Sequence, residues 1–351
     1  MSEVNIRALA KELNLSISTV SKALKDSYEI STETKERVVA LAKALHYNPN
    51  PYASSLRRKK SNTIAVVVPD IADSFFSVAI EGIEEVAQSK GYHVLLYLTH
   101  EKVENERRIL EECKSGRVDG VMLSVTSETS DTLHIEQLVS DNDNNVPVVF
   151  FDRAIDELGV VKITTNDMES SFEATEHLLH CGCQQIVYLS ISKELSINNK
   201  RIEGFKRALE QNNCGFSSEQ VIQCSNNELE NEQLIAQVLS RNNRPDGVIA
   251  GVEKLIAPIY VVSKRLQLSI PGQLKVISFS NLPYAPILNP SLTTITQPAY
   301  KMGQTAATVL FKAIEKPVFG SSDEHIVVPS TLIKRESTGF YMDGAGTVMP
   351  T

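Results

Sequence analysis

The chain has 351 residues, 42% hydrophobic and 22% charged, with 16 Gly, 14 Pro and no repeat or low-complexity tract. That composition excludes collagen-like, coiled-coil and disordered classes. The net charge of −8 is unevenly spread: residues 1–60 carry eleven Lys and Arg against six Asp and Glu, and the remainder carries 24 against 37. A small basic head on an acidic body fits nucleic acid at the head alone. No apolar run reaches the roughly 18 residues a membrane helix needs, and Met1 to Arg7 lacks an apolar leader core, so a cytoplasmic protein with no membrane partner is expected.

In chain order, Ile6, Leu9, Ala10 and Leu13 fall at i, i+3, i+4 and i+7, one apolar face of a short helix. Asn14 follows, a residue that tolerates the left-handed conformation of a tight turn. Ser16 then N-caps a second helix to about Leu24, with Val20 and Ala23 inward and Ser18, Ser21 and Lys22 outward. Ser31 caps a third, whose stripe is Val38, Leu41, Ala42 and Leu45. Three short helices with this turn make a helix-turn-helix head, and its second helix would enter the major groove of double-stranded DNA. Ile17, Ser18 and Lys22 are the candidates for reading bases, as an apolar contact to a thymine methyl, a hydroxyl and a cation for guanine. Thr19 and Ser21 are placed to hold phosphates.

Asn48-Pro49-Asn50-Pro51 stops the third helix, and Tyr52–Leu56 leads into Arg57-Arg58-Lys59-Lys60. Ala53 and Leu56 share one face of a segment too short to hold a helix in water. It reads as a hinge that folds on DNA and wedges Leu56 into the minor groove, or else as a flexible basic linker.

From residue 62 strands alternate with helices. Strands are expected at 63–68, 93–98, 118–124, 146–151, 185–189, 247–250 and 275–279, and helices at 76–90, 103–115, 170–179 and 198–211. The pattern means doubly wound parallel sheets, and its length means two similar lobes. Ligands in such sheets sit beyond the carboxyl ends of the strands. The candidates there are Asp70, Asp73, Ser124, Thr126, Asp152 and Arg153, then Ser190, Ser192, Glu253, Ser280 and Asn281, with Arg201 opening a helix onto the same crevice. Charged groups with Phe75 and Phe76 at the edge suit a polyhydroxylated ligand.

Five cysteines, Cys113, Cys181, Cys183, Cys214 and Cys224, form no disulfide framework. His177, His180, Cys181 and Cys183 cluster locally, but no second ligand pair lies at zinc-site spacing, so a plain helix end is expected and no metal. Nucleophile-elbow, P-loop and dinucleotide motifs are absent, so neither an enzyme nor a cofactor is expected and no residue is assigned a catalytic role.

Val4-Asn5-Ile6-Arg7-Ala8-Leu9-Ala10, Leu15 to Leu24 and His46-Tyr47-Asn48-Pro49-Asn50 resemble the lactose/galactose repressor (LacI/GalR) family of bacterial transcription factors. In the body, Asp70 to Phe76, Arg117-Val118-Asp119-Gly120, Val148 to Arg153, Arg201 to Phe205, Pro290 to Ile295 and Arg335-Glu336-Ser337-Thr338 are similar too. The resemblance implies an all-α head, a hinge helix and an α/β two-lobed core of the type I periplasmic-binding-protein kind, with three crossovers between lobes. It puts Ile17 and Ser18 at the base-reading pair, Leu56 at the hinge wedge preceded by small Ala53, and Asp152, Arg201 and the Phe75-Phe76 loop at effector-binding positions.

The chain departs from that pattern at four places. Lys22 stands where Arg is usual, Asp73-Ser74 where Asn-Pro is common, Val252-Glu253 where Asn-Asp or Thr-Asp precedes a helix, and Ser280 replaces the usual ligand carboxylate. The effector is then less hydroxylated than a free sugar, or negatively charged so as to meet Arg201 and Lys254, or absent. The expected organisation is a head at 1–47, a linker and hinge at 48–61, a body at 62–338 and a tail at 339–351 without apolar heptads. The function expected is a homodimeric repressor that binds a palindromic operator and answers a small, carbohydrate-related effector. The alternative is a small-molecule sensor whose head has lost DNA specificity.

Overall fold

Each helix of the head begins on a side-chain oxygen. Asn5 Oδ1 accepts the Ala8 N–H at 3.1 Å, Ser16 Oγ the Thr19 N–H at 3.0 Å and Ser31 Oγ the Thr34 N–H at 3.4 Å. These caps satisfy donors that have no partner within the helix. The helices are α1 (Ile6–Leu13), α2 (Ile17–Ala23) and α3 (Thr32–Ala44). α1 stops at Asn14, which holds φ 54° and ψ 42°, the left-handed turn expected of it. Leu9, Ala10, Val20, Ala23, Val38 and Ala42 close the core of this unit.

The computed structural model describes residues 5–45, 47, 60–129, 132–140, 146–191, 195–315, 324–342 and 348–350. Ala53 and Leu56, and the hinge to which they were assigned, lie outside these residues. The chain divides into two compact units, Met1–Ser61 and Asn62–Thr351.

The second unit has two lobes, each built on a six-stranded sheet. Lobe 1 contains β1 (Thr63–Val68), β2 (His93–Leu98), β3 (Gly120–Leu123), β4 (Val148–Phe151) and β5 (Lys162–Thr164). Lobe 2 contains β6 (Ile186–Ser190), β7 (Val221–Gln223), β8 (Gly247–Ala250), β9 (Lys275–Phe279) and β10 (Thr293–Thr296). β11 (His325–Val327) joins the first sheet beside β5, and β12 (Thr331–Ile333) joins the second beside β10. The orders are β11-β5-β4-β3-β1-β2 and β12-β10-β9-β8-β6-β7, all parallel except β10 with β12. A short antiparallel pair, β13 (Phe340–Met342) and β14 (Val348–Pro350), occupies the segment expected to be a tail.

Helices cover both faces: α4 (Ser74–Ser89), α5 (Val103–Glu112), α6 (Leu133–Ser140), α7 (Asp167–His180), α8 (Ser196–Gln211), α9 (Glu228–Leu239), α10 (Ile256–Arg265) and α11 (Ala299–Glu315). β1 shows why Ile64–Val68 is uniformly apolar. Ile64, Val66 and Val68 pack under α4 and α11 with Ile83, Met302 and Ala306, while Ala65 and Val67 face Ile109, Leu110 and Ile135 on the other side. The chain crosses between lobes three times: from β5 to α7, from β10 to α11 and from β11 to β12.

Several boundaries differ from the sequence expectation. α4 starts two residues early because Asp73 caps it. α5 ends at Glu112, where a wider turn over Cys113–Arg117 carries Gly116 at φ 76°. α7 starts at Asp167, three residues before the expected start, so His177 and His180 lie in its last turn. His177 Nε2 pairs with Thr338 Oγ1 at 3.0 Å. Among the described residues no group of His, Cys, Asp or Glu is placed to hold a metal, and no helix is long and apolar enough to cross a membrane.

Each lobe contains one pair of closely approaching helices, α4 with α11 and α7 with α8. A Cβ on Gly303 would meet the backbone carbonyl of Ala79, and one on Gly204 that of Met168. Gly303→Ala is therefore expected to destabilise the protein by about 1–3 kcal/mol, the usual scale of overpacking. Gly159→Ala, where a Cβ meets nothing within 4 Å, should stay within about 0.5 kcal/mol. Urea unfolding of both variants checks the contrast.

Candidate functional site

The carboxyl ends of both sheets converge on one cleft. The strands deliver Asp73 after β1, Glu101 after β2, Asp152 and Arg153 after β4, Asn226 after β7, Glu253 and Lys254 after β8, and Ser280 and Asn281 after β9. α8 adds Asn198 and Arg201, and Gln297 stands on the crossover after β10. An inner chamber encloses about 70 Å³ and an adjoining outer chamber about 350 Å³. Asp73, Phe75, Phe76, Asp152, Arg201, Glu253 and Ser280 all line the inner chamber.

Their roles differ. Asp73 Oδ1 accepts the Phe75 N–H at 2.9 Å and so caps α4, while burial pushes its carboxyl above the usual range. Phe75 and Phe76 are buried and meet edge to face at 5.3 Å, with Phe76 edge-on to Phe151 at 6.3 Å. They are anchored in the lobe 1 core as well as facing the cleft. Arg201 lies in the second turn of α8 instead of opening it. Its Nε donates to Asp167 Oδ1 at 2.7 Å, one terminal nitrogen donates to the Gly251 carbonyl at 2.8 Å, and its guanidinium stacks 3.9 Å from the Phe279 ring centre.

The other two cations are also engaged. Arg153 donates to both oxygens of Glu101 at 2.9 and 3.0 Å. Burial opposes ionisation of Glu101, but Arg153 and the Ser127 N–H together hold its pKa below the ordinary value. Lys254 Nζ donates to Asn226 Oδ1 at 2.8 Å. An anionic effector would have to compete with these partners for Arg201 and Lys254.

Asp152 is the exception. It is 7% exposed, sits at φ 63°, accepts one hydrogen bond, from Gln297 Nε2 at 3.4 Å, and lies 3.9 Å from Arg153 Nε, too far for a hydrogen bond. Burial pushes its pKa up to about 7; Arg153 and Arg201 oppose the rise, and the charges of Asp167 and Asp73 add to it. The cleft thus contains one buried carboxyl whose hydrogen-bonding capacity is largely unspent.

The other strand-end candidates among the described residues do not line the inner chamber. Asp70 lines the outer one, the Thr126 N–H donates to buried Glu106, Ser190 Oγ donates to Asn198, and Ser192 lies outside the described residues. Glu101, Asn198, Asn226 and Gln297 went unnoticed in the sequence. Glu101 was accessible, since it follows a strand that the pattern identified; Asn226 follows the three-residue β7, too short to announce itself.

In the head, Lys22 is exposed and paired with Glu29, and Ser18 is exposed. Ser16 Oγ holds the hydroxyls of both Ser18 (2.7 Å) and Thr19 (2.8 Å). Ile17 is half-buried against the head core, not free as its assignment to base reading supposed, and Ser21 is half-buried.

Residues 61–336 match the family described as "Periplasmic binding proteins and sugar binding domain of LacI family", and residues 5–50 match "Bacterial regulatory proteins, lacI family". The ribose operon repressor of Halalkalibacterium halodurans is 32% identical over 334 residues, covering 95% of this chain and 96% of the relative. A LacI family transcriptional regulator from Enterococcus faecium, solved with bound ribose, is 27% identical with a TM-score of 0.68, over 78% of this chain and 98% of that one. The lac repressor dimer bound to operator and the anti-inducer ONPF shares the fold at a TM-score of 0.83 and 21% identity, over 96% and 99% of the two chains. The chain belongs to the LacI family of bacterial transcriptional regulators, whose members are not enzymes.

Proposed function

We propose that the protein is a homodimeric repressor that binds a palindromic operator and responds to a neutral, hydroxyl-rich effector of sugar size. The observation that carries the effector class is the buried Asp152 carboxyl, short of donors in a cleft whose cations already have partners. Ligand hydroxyls would supply the missing donors without bringing a charge into the chamber. The repressor of a ribose operon and the ribose-bound neighbour support the same class.

Two copies are needed because one short recognition helix touches few bases, and two heads on adjacent half-sites multiply affinity. A second copy also fits the surface of lobe 1. β2 is the edge strand of its sheet, and Leu95 and Leu96 on it are exposed, an edge that monomeric proteins ordinarily cover. An effector would act by changing the lobe geometry that the two hinges share, which requires different affinities for two states.

Selection of random DNA by the purified protein at about 0.15 M salt should recover a palindrome of roughly 14–20 base pairs, two half-sites about a helical turn apart. Recovery of no motif, with only salt-sensitive binding, would overturn the operator reading. On that operator, Leu56→Ala should weaken specific binding far more than nonspecific binding; equal losses would remove the wedge role.

Asp152→Asn separates ligand binding from stability. An acid whose pKa is raised on folding loses stability as pH climbs from its unfolded value, about 3.9, to its folded value of about 7. The Asn variant escapes that loss, so its gain in Tm should be larger at pH 8 than at pH 5. The same variant should bind ribose, as a probe, at least about tenfold more weakly at pH 8, the scale of hydrogen bonds to a charged acceptor. Parallel melting scans and calorimetric titrations at the two pH values check both signs.

A further inference from the structure

Glu253 differs from every other acid in the cleft because its carboxylate is filled from both lobes. From lobe 1, Ser74 gives its backbone N–H to Oε1 at 3.3 Å and its hydroxyl to Oε2 at 2.5 Å. From lobe 2, Ser280 Oγ and the Asn281 N–H reach the same Oε2 at 2.7 and 3.2 Å. Ser74 is the first residue of α4, so its N–H is one of the donors that a helix leaves unsatisfied at its start. Asp73 takes the next residue's N–H and leaves that of Ser74 for Glu253. The positive end of the helix dipole favours an anion at this point.

The node depends on three particular residue types. Proline at 74 would bring neither N–H nor hydroxyl, a carboxylate at 280 would repel Glu253, and aspartate at 253 would be one methylene shorter. These are three of the four places where the sequence departs from the family pattern, and they meet in one hydrogen-bonded cluster. Glu253 also lines both chambers, so it forms part of the wall between them.

We propose that Glu253 is a built-in clasp that holds the two lobes closed over the inner chamber with no effector bound. The clasp uses only groups of this chain and stands independently of which ligand the cleft takes. Other contacts between the lobes, Lys200 Nζ to Asp156 Oδ2 at 3.1 Å, Ser196 Oγ to the Ala154 carbonyl at 3.3 Å and Leu195 and Ile197 packed into the lobe 1 core, join the start of α8 to lobe 1 near the loop after β4 and leave Glu253 untouched.

Spin-label distances across the cleft test the clasp in the full-length, effector-free protein, diluted with unlabelled protein to suppress signals between copies. Cys214 is exposed on lobe 2 and serves as one label site, with Glu104→Cys on α5 as the other and Cys181→Ser to remove the half-buried thiol. Cys113, Cys183 and Cys224 are buried. Ser74→Pro removes both lobe 1 donors at a position where helices favour proline, and the preceding Asp73, at ψ 125°, already has the conformation proline demands. Glu253→Gln keeps the shape and removes the charge.

The parent should show one short distance. Both variants should raise the ratio of open to closed lobes about tenfold or more, as expected for lost hydrogen bonds to a charged acceptor. Lys200→Ala should shift the distribution far less, because its ion pair with Asp156 is largely exposed to water. Far-UV circular dichroism and melting confirm that each variant is folded; should Ser74→Pro fail to fold, Glu253→Gln decides alone. A parent already open, or folded variants with the parent's distribution, overturns the clasp.

Discussion

The cleft is organised around a single buried guanidinium. Arg201 binds Asp167 at the start of α7, the Gly251 carbonyl beyond β8 and the face of Phe279 at the end of β9. Thr165 Oγ1 steadies Asp167 from the crossover itself, donating at 2.9 Å. One side chain thus ties a crossing point, two helices and two strands of lobe 2 together. The close approach that lets it do so depends on Gly204, one turn further along α8, where the α7 backbone leaves no room for a Cβ. Losing either partner of such a pair strands a buried charge, at about 3–5 kcal/mol. Removing Arg201 therefore conflates a binding effect with a structural one, and Asp152 is the cleaner place to ask about ligand.

The charges of the two units play opposite parts. In the cleft the Arg201–Asp167 pair is buried and the Arg153–Glu101 pair half-buried, and both are hydrogen-bonded, so they set shape. On the head, Lys22 and Glu29 form an exposed pair, of a kind contributing roughly 0–1 kcal/mol. Lys22 can leave Glu29 at little cost. The same residue types are structural where water is excluded and available where it is not.

How much of this was legible follows from element length and local chemistry. The head was readable because caps and turns are local: Asn14, Ser16 and Ser31 each do in the structure what their side chains suggest. β1 announces itself as five apolar residues in a row, Ile64–Val68, but β5, β7, β10, β11 and β12 are three or four residues long and carry no period. The crossovers run through those short strands, so the pattern indicated two lobes while the three crossings came from the resemblance. Strand ends pointed to Asp152 and Glu253, yet neither the left-handed backbone of Asp152 nor the reach of Glu253 to Ser74, 179 positions away, is encoded locally.

The three crossings also bear on how the chain is made. Lobe 1 takes α11 against α4 and β11 as its edge strand, both from beyond residue 298, while most of lobe 2 lies between residues 167 and 296. During synthesis from the N-terminus the first sheet waits, half covered, until nearly all of the second lobe has left the ribosome. The head has only short-range contacts to make and can fold as soon as it emerges. A nascent chain would therefore pass through a period in which a folded basic head trails an unfinished apolar sheet. That period favours holding by chaperones and penalises a slow translation step between α4 and α11.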